Sequence, residues 1–289
     1  MPELAADRRP PAAAAGLSGD APVSATAALL ETWIGREQAR ALYWWRPKNG
    51  ALNVGDELAR VIVTAMLSLR DLELRDKRDR RHRLFAIGSV LHNAGDGDAV
   101  WGSGINGKIP EQRHRFKQLD VRAVRGPLTR RFLADRGIRV PAVYGDPALL
   151  MPLFYRRELL GPSPLRPFVV VPHFNETAEK YVRYREHLVL PTSGPAAFAR
   201  ALLGAECVVS SSLHGVILAE AYGIPAVYLD SGNGEHRFKY DDYYQGTGRA
   251  QWHSGSTVEE CLDLGGNAPF DLGALQIALM QAFPYDLWE

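Results

Sequence analysis

Cysteine is scarce in this chain, and net charge and long apolar runs are missing. Its 289 residues include two cysteines, Cys207 and Cys261. They lack metal-ligand spacing and are too few for a disulfide framework, which predicts a reducing compartment. Against 34 Lys and Arg stand 33 Asp and Glu, a formal charge of +1. Without a global basic field, no nucleic-acid partner is expected. No apolar run reaches the roughly 18–20 residues of a membrane-spanning helix. The N-terminus carries acidic residues and prolines and no continuous apolar core of signal-peptide type. Residues 1–28, poor in large side chains, are therefore expected to form a disordered leader of a cytoplasmic protein.

Several chemical signatures are also missing. There is no GxxxxGK[ST] phosphate loop, no HExxH, no paired CxxC and no GxSxG elbow. GSGING at 102–107 fits a dinucleotide fingerprint only with relaxed spacing, and Asn106-Gly107 reads as a turn. Neither NAD nor a metal is expected. No repeat of 20–50 residues is visible.

What is present is a chain that is 46% hydrophobic and patterned for an α/β fold. Residues 43–46 read as a short strand ended by Pro47, and Asn49-Gly50 as a turn. A helix is expected over 57–69, with Asp56 at its positive end. The charge run at 71–83 reads as a solvated segment. LFAIGSVL, DAVWGSGI and LDVRAVRG are short apolar runs that each predict a strand. PLTRRFLADRG predicts a helix with Pro127 in its first turn and Gly137 at its end. AVYGDPALLMP reads as another strand. After RRELLGPSPLRP, a linker with three prolines and one glycine, the alternation restarts. Strands are expected at FVVVPHF, LVLP, CVVSSS and IPAVYLD, and helices at ETAEKYVRYREH, GPAAFARALLGA and LHGVILAEAYG.

Alternating strands and helices predict parallel sheets covered on both faces. The expected organisation is a leader at 1–28, an α/β lobe at 29–155, a linker at 156–167 and a second α/β lobe at 168–289. Two such lobes face a cleft, and strand-end residues should line it.

Those strand ends supply the candidate residues. Ser210, Ser211, Ser212 and His214 sit where a strand runs into a helix. Hydroxyls, an imidazole and a helix N-terminus together suit an anion; one of the serines alone would suffice as a helix cap. Arg125 is either an anion-binding fork or an ordinary surface residue. Thr129 reads as structural. Asp146 in GDP is either a turn-former or a cleft carboxylate. Gly102 and Gly104, with Ser103 between them, suit close approach of a ligand. His92 and His173 are strand-end imidazoles, and Asn53 opens the NVGDEL segment. The segment EHRFKYDDYY, with Arg237 and Lys239, either binds substrate or forms a solvated loop.

Five segments in this order resemble the polysaccharide pyruvyl transferase family, in its bacterial exopolysaccharide branch. They are NVGDEL at 53–58, FAIGSVLH at 85–92, VWGSGI at 100–105, VRGPLTRRFL through YGDPALL at 124–150, and VVSSSLHGVILAEAYGIPAVYL at 208–229. The resemblance implies a two-lobed fold similar to GT-B glycosyltransferases. It implies phosphoenolpyruvate as donor and a sugar with two suitably placed hydroxyls as acceptor. The products would be a cyclic pyruvate ketal and phosphate. It further implies that Arg125 and His214 hold and activate the donor. The segment reads RGPLT where many members have Ser after the Arg, so a role for that hydroxyl does not transfer. A lipid-linked acceptor would bring the protein to the inner face of the plasma membrane.

The chemistry asks for cations, a proton donor and a base. His214 is the candidate acid or phosphate partner, and Asp56, Asp146 and Glu220 are alternative bases. Asn53, His92, Gly102, Ser103, Gly104, His173, Ser211, Ser212, Glu220, Arg237 and Lys239 are the expected substrate-binding set. No cofactor beyond the donor is expected. Two rival readings are a nucleotide-sugar glycosyltransferase of the same architecture and a non-catalytic glycan-binding protein.

Overall fold

A computed structural model describes residues 41–47, 50–74 and 82–289. The expected leader, residues 29–40 of the first expected lobe, Asn49 of the expected turn and the centre of the charge run lie outside the described residues.

Each half of the chain builds one four-stranded parallel sheet. The first runs β1 (Leu42–Tyr43), β2 (Leu84–Phe85), β3 (Ala99–Trp101) and β4 (Asp120–Ala123), in that order. The second runs β5 (Val169–Val171), β6 (Val208–Ser210), β7 (Ala226–Leu229) and β8 (Ser254–Gly255). Both expected parallel sheets are therefore present. Their central residues are apolar because helices and loops cover both faces: Phe85, Val100, Val170, Val209 and Val227 are all fully buried.

Among the described residues the α-helices are α1 (Val54–Ser68), α2 (Pro127–Ala134), α3 (Met151–Phe154), α4 (Arg157–Leu160), α5 (Pro195–Leu203), α6 (Leu213–Ala221), α7 (Phe238–Gly246), α8 (Val258–Leu264) and α9 (Leu272–Gln281). Helix α1 begins at Val54, earlier than the expected residue 57, because Asn53 caps it. The Asn53 side chain accepts the Gly55 N–H at 3.3 Å.

Four sequence expectations change. The strand expected in AVYGDPALLMP is reduced to a single bridge, Val124 to Tyr144. Pro147 offers no donor to a ladder, and Asp146 caps a 3-10 turn over Pro147–Leu150 instead. The helix expected at 176–187 is a run of 3-10 turns over Ala178–His187, with non-helical backbone at Tyr181 and Tyr184. There Tyr181 is buried and its hydroxyl reaches Glu176 at 2.9 Å. The strand expected at 188–191 is one bridge, Val170 to Leu188. The solvated loop weighed for EHRFKYDDYY gives way to α7, whose Tyr240, Tyr243 and Tyr244 are fully buried.

The lobes are joined by more than the segment between them. Helix α1 packs against α5, α6 and the Pro147–Leu150 turn, and α2 packs against α7. Helix α9 follows the second sheet but packs on the first lobe. Trp101 Nε1 donates to Leu279 O at 2.8 Å, and Phe283 meets the Trp101 ring edge-on at 4.8 Å. Tyr285 Oη donates to Met66 O at 3.0 Å. Among the described residues, no helix is long and apolar enough to cross a membrane.

Candidate active site

A cavity of about 280 Å³ lies between the lobes. It collects residues that follow β1, β2, β5 and β6, so it opens beyond the carboxyl ends of the strands. Of the sequence candidates, Asn53, Asp56, His92, His173, Ser212, His214 and Lys239 line it.

Asp56 stands in the first turn of α1, where the helix dipole favours a carboxylate. Asn53 Nδ2 donates to its Oδ2 at 2.5 Å. Burial nevertheless wins and lifts its pKa from the ordinary 3.8 to about 7, against the opposing pull of His214. Asp56 therefore changes charge near neutral pH.

His214 stands in the first turn of α6, across from α1. A Cβ on Gly55 would lie 2.2 Å from His214 Nδ1, so only glycine leaves room for the ring there. On the other side, Nε2 is 3.7 Å from Asp146 Oδ2 and has no hydrogen-bond partner among the described residues. Asp146 is 1% exposed and spends its Oδ1 on the Ala148 N–H at 3.0 Å. It backs the imidazole and does not line the cavity.

Lys239 stands in the first turn of α7 and is only 5% exposed. Its Nζ meets Glu235 Oε2 at 2.5 Å. Burial lowers its pKa to about 8 despite Glu235, with Arg125 and Lys108 adding to the drop. Burial pushes Glu235 up, but Lys239 and Lys108 outweigh it and hold its pKa at about 2. Lys108, from the first lobe, pairs with the same carboxylate. His173 Nε2 lies 3.7 Å from Glu235 Oε1. Burial and then Lys239 depress His173 to about 4, so it is neutral at pH 7. His92 is also lowered, by burial and then by His114.

Of the three serines, only Ser212 lines the cavity. Ser210 Oγ accepts the Ser212 N–H at 3.0 Å and shapes the turn. Ser211 is fully buried, accepts the His173 N–H at 2.9 Å and bonds Glu176.

Several other candidates do not reach the cavity. Arg125 is 0% exposed and fully engaged. Its Nε donates to Asp242 Oδ2 at 3.0 Å, one terminal nitrogen to Ser89 Oγ at 2.5 Å and the other to Ile105 O at 2.7 Å. Thr129 joins the same carboxylate through its hydroxyl at 2.6 Å. Gly104 lies flat on the Arg125 guanidinium, and Gly102 packs on Pro147. Ser103 is buried and donates to Gly88 O at 2.8 Å. Glu220 faces a separate cavity, bound to Arg249 at 2.7 and 2.8 Å and to Tyr243 at 2.6 Å. Arg237 lies over the Trp252 ring at 4.2 Å.

The cavity also holds residues that sequence reasoning did not single out: Ser89, Asn93, Lys108, Glu235, Trp45 and Phe174. Glu235 and Lys239 stand four apart, the one local signal that could have paired them. Together these groups offer a base that titrates near neutrality, an imidazole backed by a carboxylate and two lysines sharing one counter-ion. Such a site can hold a small polyanion and move protons.

The polysaccharide pyruvyl transferase model matches residues 53–233. The chain is 28% identical over 218 residues to the succinoglycan biosynthesis protein ExoV of Rhizobium meliloti (strain 1021), covering 71% of this chain and 64% of that protein. It is 27% identical over 153 residues to the uncharacterized protein L143 of Acanthamoeba polyphaga mimivirus, covering 50% of this chain and 51% of that one. The alignments thus span between half and two thirds of these relatives' lengths.

Proposed function

The chain belongs to the polysaccharide pyruvyl transferase family, and on that premise we propose that it transfers pyruvate from phosphoenolpyruvate onto two hydroxyls of an exopolysaccharide sugar, forming a ketal and releasing phosphate. The convergence of Asp56, His214 and Lys239 on one interlobe cavity carries this reading. Two parallel sheets facing that cavity are compatible with a GT-B-like arrangement. Donor and acceptor are the only small molecules the reading needs. A lipid-linked acceptor would put the reaction at the inner face of the plasma membrane.

Lys239 and Lys108 meet the donor's phosphate, exchanging part of their pairing with Glu235 for it. The first turn of α6 adds its positive end. His214, as imidazolium, gives a proton to the methylene carbon and leaves an oxocarbenium-like centre. Asp146, at 3.7 Å, supports that imidazolium. A sugar hydroxyl adds to the centre and passes its proton to Asp56. The carbon–oxygen bond to phosphate then breaks, and phosphate leaves with the bonding pair. The second hydroxyl adds to the new cationic carbon, and its proton goes to the departing phosphate. Solvent returns the proton held by Asp56 to His214. Two hydroxyl protons are lost; the new methyl group gains one and phosphate the other.

Arg125 acts through neighbours in this scheme. It holds Ser89, which lines the cavity, and its charge helps bring the Lys239 pKa down to about 8. Asp56 is the base because Asp146 lies behind His214 and Glu220 faces another cavity.

The test is phosphate release from phosphoenolpyruvate with and without an oligosaccharide acceptor, together with the mass of the product. Acceptor-dependent release and a ketal product are expected, and His214→Ala should lower turnover about 10²-fold or more. Turnover of a nucleotide sugar with none of phosphoenolpyruvate would overturn the proposal.

A further inference from the structure

The cavity is not uniform in chemistry. Its buried end carries Lys239, at 5% exposure, and the part-buried Asp56 and His214. Trp45 lines the same cavity yet remains 39% exposed, so it stands where the cavity meets solvent. Phe174 meets the Trp45 ring edge-on, with centroids 6.0 Å apart and planes at 81°. The two rings come from opposite lobes, one just after β1 and one just after β5. Trp45 also precedes the residues matched by the family, 53–233.

A part-exposed indole at the mouth of a polar cavity offers a ligand a large, rigid apolar face to bury. Two crossed rings form an apolar corner, and Asn106 and Asn175 line the cavity with it. Each amide both donates and accepts hydrogen bonds, as a sugar hydroxyl does. A pyranose has the matching chemistry, with an apolar face of axial C–H groups and a rim of hydroxyls. A small dianion such as the donor has no apolar face and belongs at the cationic end.

We infer that the Trp45–Phe174 corner is the acceptor subsite, with the sugar ring stacked on Trp45 and its hydroxyl pair directed inward to Asp56. The inference rests on the pyruvyl-transfer reading for the direction of the hydroxyls, and on the rings alone for the sugar. Because the rings belong to different lobes, a bound sugar bridges them.

Saturation-transfer NMR with methyl β-D-galactopyranoside and methyl β-D-glucopyranoside tests this on the full chain without turnover. Saturation is expected on the axial C–H protons of at least one glycoside. Trp45→Ala should weaken that binding about tenfold, the weight of one aromatic contact, while Trp45→Phe retains most of it. Phe174→Ala should weaken it less. Phosphoenolpyruvate binding, read by thermal shift, should be unchanged in Trp45→Ala. Equal glycoside binding by wild type and Trp45→Ala, or no glycoside binding by wild type, overturns the subsite. Trp45-dependent glycoside binding without any turnover of phosphoenolpyruvate leaves the subsite standing and removes the pyruvyl-transfer reading instead.

Discussion

Asp56 and Lys239 are both shifted by burial, and in opposite directions, so their charged forms coexist only in a narrow window. In the proposed reaction Asp56 must be ionised to accept a proton, which needs a pH above about 7. In the proposed reaction Lys239 must also be charged to hold phosphate, which needs a pH below about 8. In the proposed scheme the kcat/KM profile is a bell whose acidic limb lies near the Asp56 value, and whose basic limb comes from loss of charge on Lys239 and on His214. Asp56→Asn should remove the acidic limb and cut the rate by about 10²-fold or more. The same substitution should act on stability with a definite sign. The pKa of Asp56 is raised on folding, so its stabilising share is complete below the ordinary carboxylate range and is lost as pH rises through about 7. Asp56→Asn is therefore expected to raise Tm at pH 8 and leave it little changed at pH 4. A wild-type bell in Asp56→Asn would assign the acidic limb to another group. At this scale the sequence showed which residue types gather but not which way they face. Asp56 was one of three carboxylates, and Arg125 stood undecided between surface and ligand. Its partner Asp242 is 117 residues away, and no local pattern reports a pairing at that distance.

Among the elements, the junction of α1 with α6 fixes where the His214 ring lies. The two helices meet where Gly55 leaves space for His214, and an added Cβ would stand 2.2 Å from the imidazole. Gly55→Ala strengthens α1 as a helix by about 1 kcal/mol while forcing the ring to move. The expected outcome is a kcat lowered about tenfold or more with Tm within a few degrees of wild type. An unchanged kcat would show that the position of the ring does not matter. The strand and helix order was largely legible, because short β-branched runs and amphipathic spacing report burial directly. What was not legible had local causes. Pro147 turned an apolar run into a capped 3-10 turn, and Tyr181 and Tyr184 broke a helical period to reach Glu176 and Glu259. In EHRFKYDDYY the charges outvote the aromatics on any hydropathy reading, yet the tyrosines are the buried face of α7.

Across the molecule, the Arg125–Asp242 pair ties the lobes with no solvent exposure on either side chain. Around it the backbones almost touch, since a Cβ on Gly126 would lie 1.8 Å from Asp242 O. Asp242→Asn leaves a buried guanidinium without its counter-charge and should cost about 3–5 kcal/mol. Denaturant unfolding followed by tryptophan fluorescence measures this, and a midpoint equal to wild type would show that the lobes are held elsewhere. Two lobes and a cleft between them could be anticipated from the restart of alternation after the proline-rich stretch. The return of α9 to the first lobe could not, because nothing in its composition names its neighbour.

That return sets an order of events during synthesis. Trp101 and Leu279 are separated by 178 positions. A ribosome adding about 5–20 residues per second needs roughly 10–35 s to cover that distance. For that long the indole of Trp101 waits for its partner, so the half of the protein made first is the half completed last.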